Sequence, residues 1–128
     1  MRSIFHLPAL FGILFFAACK PSRNHSSGLF TGKVIGSICS QYTIQLIAGD
    51  MDPAKYLKSW KNPQSDSTYH NVFAVSNYCD FGKYGLQKGD TFQFRLLHDS
   101  PAQSCVRCLI YEPTPDVQNT IQVVQTVK

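Results

Sequence analysis

The chain has 128 residues and a formal charge of +4, with 44% hydrophobic and 16% charged residues. That length accommodates one modest core rather than two, and that balance excludes an intrinsically disordered chain. The basic side chains are scattered and form no stripe that would track phosphates, so no nucleic-acid partner is expected.

The amino end carries Arg2 and no acid, and is followed by an apolar run from Leu7 to Phe16, interrupted only by Pro8 and Gly12. Such a run is too short to cross about 30 Å of hydrocarbon as a permanent helix but fits the apolar region of a signal peptide. It ends in Phe16-Ala17-Ala18-Cys19. An apolar residue, two small residues and a cysteine, in that order, resemble a bacterial lipobox, although Phe16 stands where that motif usually has Leu. The resemblance implies that residues 1–18 are a signal peptide and that the Cys19 thiol receives diacylglycerol, with palmitate-type acyl chains holding the protein to a membrane. Residues 19–28 then comprise the lipidated cysteine and a flexible tether, because Lys20-Pro21-Ser22-Arg23-Asn24-His25-Ser26-Ser27-Gly28 contains no core-forming side chain. Some Bacteroidetes lipoproteins carry acidic residues after the cysteine as a surface-export signal. This tether has none, so the expected location is the cell envelope, on the outer membrane and facing the periplasm.

Residues 29–128 read as a β-barrel domain. The expected strands are Leu29 to Ile38, Tyr42 to Ile47, Val72 to Val75, Thr91 to Leu96, Val106 to Tyr111 and Thr120 to Val127, rich in β-branched and aromatic residues. The alternation in Thr91-Phe92-Gln93-Phe94-Arg95-Leu96 puts Phe92, Phe94 and Leu96 on one face. Turn residues punctuate these runs at Gly49-Asp50, Lys88-Gly89-Asp90 and Glu112-Pro113-Thr114-Pro115. One short helix is expected from Ala54 to Trp60, capped by Asp52 with Pro53 at its first position, followed by a polar loop over residues 62–67. Short strands with one helix predict a mainly β fold, a small closed or partly open antiparallel barrel. The segments Gly32-Lys33-Val34-Ile35, Cys39 before Tyr42-Thr43-Ile44, Gly85-Leu86-Gln87-Lys88-Gly89-Asp90 before a strand, and the late Cys105 resemble the small OB-like barrels of Bacteroidetes lipoproteins. That resemblance implies an OB-like fold and no particular activity.

Five cysteines occur: Cys19, Cys39, Cys79, Cys105 and Cys108. With Cys19 lipidated, an exported chain keeps an even four, which implies two disulfides. Cys105 and Cys108 stand three apart before an apparent strand, where their side chains point apart. This favours Cys39 bonded to one of them and Cys79 to the other. A turn at Ser104 would instead permit Cys105–Cys108 with Cys39–Cys79. Two functional readings compete: a thioredoxin-like redox pair in Cys105-Val106-Arg107-Cys108, and a zinc site with His70 or His98. The redox pair wants a helix amino terminus, and zinc wants a second close ligand pair; neither is visible.

No nucleophile elbow, zincin motif or phosphate loop occurs, and Glu112 is the sole glutamate. A non-enzymatic protein with no catalytic residues, metal or cofactor is expected. The segment Tyr78-Cys79-Asp80-Phe81-Gly82-Lys83-Tyr84 is unusually aromatic. Tyr78, Phe81 and Tyr84 either stack on a ligand such as a glycan or plug the end of the barrel; Trp60 poses the same choice. The expected role is a membrane-anchored binding or structural module, with the membrane, another envelope protein or a glycan as partner.

Overall fold

The computed structural model describes residues 28–127. The expectations placed on residues 1–18, on Cys19 and on most of the tether lie outside that range. The fold is mainly β, with six strands in one sheet. They are β1 (Phe30–Ile38), β2 (Gln41–Ala48), β3 (Leu57–Lys61), β4 (Thr68–Val75), β5 (Thr91–Leu97) and β6 (Gln118–Val127), with one short helix α1 (Tyr78–Gly82) between β4 and β5. No helix among the described residues is long and apolar enough to cross a membrane.

Five strands close a ring. β1 pairs with β2 and β5, β5 with β6, β6 with β4, and β4 returns to β2. β3 stands outside the ring, on the same edge of β4 that β6 takes up further along: it pairs with Thr68 to Val72, whereas β6 pairs with Ala74 and Val75. A closed ring of strands in a mainly β chain agrees with the fold class expected from the strand content. One contact departs from an all-antiparallel ring, because β4 and β6 run parallel. Among the backbone bonds at that seam are Ala74 N–H to the Val117 carbonyl at 2.8 Å and Ser76 N–H to the Asn119 carbonyl at 2.9 Å.

Alternation drives the core inward. Phe92 and Phe94 are fully buried, as the period-two pattern requires, and Leu96 packs partly buried behind them. Rings continue the contact: Phe92 to Phe94 at 5.5 Å, Phe94 to Phe73 at 5.7 Å and Phe94 to Phe30 at 5.6 Å between centroids. Tilted pairs at these distances suit the aromatic quadrupole and add to area burial. Val34, Ile44, Ile121 and Val123 complete the filling from the other strands of the ring.

Two expectations fail locally. The helix expected from Ala54 to Trp60 is one 3-10 turn, Pro53–Lys55, followed by β3. Asp52 does cap it, accepting from Ala54 N–H at 2.9 Å. The cap starts a turn, but Leu57-Lys58-Ser59-Trp60 then pairs with β4, with Trp60 opposite Tyr69 and their rings 6.3 Å apart. The strand expected from Val106 to Tyr111 is irregular backbone. The helix that exists, α1, lies in the aromatic segment.

Candidate functional site

The long connection from β5 to β6, residues 98–117, has no regular secondary structure and is pinned to the ring. Pro101, Pro113 and Pro115 each lack a backbone donor, which disfavours a ladder. Two disulfides supply the pinning. Cys108 is bonded to Cys39 at the β1–β2 turn, with Cα atoms 5.2 Å apart. Cys105 is bonded to Cys79 on α1, with Cα atoms 5.7 Å apart. The two members of Cys105-Val106-Arg107-Cys108 thus belong to different bridges rather than forming one dithiol pair. The pairing follows the geometric argument from their spacing.

Polar side chains complete the attachment. Glu112 accepts from Ile38 N–H at 2.8 Å, and its own N–H donates to Gln41 Oε1 at 3.3 Å. The Gln41 amide also donates to the Ile110 carbonyl at 2.7 Å. Gly36 permits this approach, since a Cβ there would lie 3.1 Å from Glu112 Oε1. At the other end Gln103 accepts from Cys79 N–H at 2.7 Å, satisfying a donor in the first turn of α1. Neither Gln41 nor Gln103 stood out in the sequence. The bracketing of two cysteines by three prolines was the available signal of a tied-down loop.

Between its pins the loop turns apolar side chains outward. Val106 is 92% exposed and Leu109 fully so, with Ile110 at 61% and Tyr111 at 72%. Arg107 lies among them, its guanidinium 4.0 Å above the centre of the Tyr78 ring. That cation–π contact holds the loop against α1.

The three aromatic candidates are not brought together. Phe81 is 1% exposed and closes one end of the ring, edge-on to Tyr42 at 4.8 Å and to Phe92 at 5.3 Å. It is a plug and offers no face to a ligand. Tyr78 lines an open cleft of about 600 Å³ between α1 and the loop, together with Tyr42, Asp80 and Pro101. Tyr84 lines a different one of about 340 Å³, with Asn77, Leu97 and Ile121. Burial of Tyr42 against Phe81 raises its phenol above the ordinary value. Trp60 packs on Tyr69 and is half-buried.

Neither His70 nor His98 joins a metal-ligating group. His70 bonds the Lys58 carbonyl at 3.2 Å through Nδ1, and His98 is exposed. Among the described residues no three His, Cys, Asp or Glu side chains are grouped to hold a metal ion. Comparison of the chain with family profiles, with curated proteins and with solved structures finds no match.

Proposed function

We propose that this chain is a non-enzymatic, lipid-anchored envelope protein, held by acyl chains on Cys19, that acts as a small binding module through its doubly stapled loop. The observation that carries the reading is a loop pinned at Cys105 and Cys108 that displays four exposed apolar side chains. Exposed apolar side chains grouped in one short segment favour an interaction site, and a loop tied by covalent bridges loses less entropy when it binds. Disulfides persist in oxidising compartments, in keeping with a signal peptide over residues 1–18 and an outer-membrane protein facing the periplasm. Thiol–disulfide exchange ranks below this, since Cys105 and Cys108 have separate partners. Glycan stacking does as well, since Tyr78 and Tyr84 line separate clefts.

Intact mass of the membrane-extracted protein, with thiol alkylation under denaturing conditions, tests the reading. The expected mass is residues 19–128 plus acyl chains, with no alkylation until a reductant is added. A mass without lipid removes the anchor. Two alkylatable thiols before reduction bring the exchange reading forward.

A further inference from the structure

We propose that the loop bearing Val106, Leu109, Ile110 and Tyr111 is a second membrane contact, which inserts these side chains into the interface of an anionic bilayer. The proposal deepens the anchored reading and rests on it for the identity of the bilayer. Three features favour a bilayer over a protein surface.

The first is charge. From residue 100 to 111 the chain has no carboxylate and one cation, Arg107. The next acid, Glu112, is turned back and bonded to Ile38 N–H. Within residues 100–111 nothing repels anionic headgroups, the exposed Asp99 and Asp116 lying outside this stretch, and Arg107 complements them. Tyrosine beside aliphatic side chains is the composition favoured where headgroups meet acyl chains.

The second is area. Four protruding side chains offer on the order of a few hundred Å², whereas a stable complex buries roughly 800 Å² on each partner. A second copy of this chain gains too little from the loop alone. A bilayer sets no such threshold once a lipid anchor has brought the domain to it, because the weaker contact then forms at high effective concentration.

The third is reach. Residues 20–28 span at most about 30 Å when extended, and the nine residues of β1 span about the same. β1 separates the point where the tether enters the domain from the Cys39 staple. A tether as long as that strand lets the domain lie down with its anchor and its loop on one surface. The two bridges tie the amino end of the apolar stretch to the β1–β2 turn and to α1.

The test places a single indole on the loop of the full mature lipoprotein, as Leu109→Trp with Trp60→Phe. The protein is reconstituted in vesicles of phosphatidylethanolamine and phosphatidylglycerol, with and without brominated acyl chains. The expected result is a blue-shifted emission, most of it lost to the brominated lipid, and recovery of emission when Ile110→Asp is added while the protein still floats with the vesicles. A lipid-carrying protein that floats but keeps an unquenched, water-like emission overturns the proposal. An indole that shifts only as protein concentration rises also overturns it and assigns the loop to a second copy. Absence of lipid in the intact mass sinks the anchored reading separately. The loop is then judged by adding the unlipidated protein to the same vesicles: quenching supports the contact, and its absence overturns it.

Discussion

Asn77 stands at the ring's seam and does the work of a missing strand partner. It is 2% exposed, and its amide donates to the Ile121 carbonyl at 2.7 Å while its oxygen accepts from Ile121 N–H at 3.0 Å. Replacing it with alanine leaves two buried backbone groups unpaired. The expected loss for Asn77→Ala is about 2–4 kcal/mol, read from urea unfolding. The aromatic positions separate just as sharply. Phe81→Ala opens a cavity among Tyr42, Phe92 and their neighbours and is expected to cost about 3–5 kcal/mol, while Tyr84→Ala, at a position 44% exposed, should cost under about 1 kcal/mol. Tyr42 carries a pH signature. Its folded-state pKa lies above the unfolded one, so the folded chain holds that proton more tightly. The associated stability is fully present below the unfolded pKa and is lost as pH rises through the folded pKa. Unfolding midpoints should therefore fall in the alkaline range, and Tyr42→Phe should flatten that fall. Composition marked these aromatics as a group but could not sort them. Spacing alone does not say which of three rings a five-residue helix turns into the ring of strands.

The β1–β2 turn shows how an element can be built from unfavourable residues. Its two central residues, Cys39 at φ 51° and Ser40 at φ 64°, both take the left-handed conformation that a type I′ turn demands and that glycine or asparagine usually supplies. Cys39 is committed to its bridge, but Ser40 is not. Ser40→Gly is expected to stabilise the protein by about 1 kcal/mol, the relieved strain exceeding glycine's extra chain entropy. An increase in urea midpoint at unchanged slope would show it. Strands whose residues alternate cleanly were legible, β5 above all. The misreadings each have a physical source. The Asp52-Pro53 signal starts a turn truthfully and says nothing about its length; the pairing of Leu57 to Lys61 with β4 ends it. The run from Val106 to Tyr111 has a strand's composition, yet Cys105 and Cys108 pull its amino end toward two different elements. That connectivity is information no local pattern holds.

At the scale of the whole molecule, ring closure depends on contacts between chain regions far apart in sequence. The parallel seam joins β4 to the carboxyl-terminal β6, and the outer bridge joins residues 69 apart while the inner joins residues 26 apart. Loop-closure entropy assigns roughly 4 kcal/mol to the longer bridge and somewhat less to the shorter. Replacing Cys39 and Cys108 by serine should therefore lower stability more than replacing Cys79 and Cys105, as compared by thermal unfolding. Reduction should also speed tryptic cleavage after Arg107, since the loop belongs to no sheet. The closed ring was legible from strand content; which strands make the seam was not, because no local property of Val75 or Asn119 names its partner. The nesting of one bridge inside the other also bears on how the protein matures. A chain emerging amino end first presents Cys39, then Cys79, then the close pair. Oxidation in order of appearance would join 39 to 79 and 105 to 108, which is neither bond of the finished protein. Correct maturation therefore calls for an oxidant that waits for β6 to arrive, or for an isomerase that reshuffles the first bonds by thiolate attack. Cells lacking such an isomerase should accumulate a mispaired form that a mild thiol buffer converts to the native one.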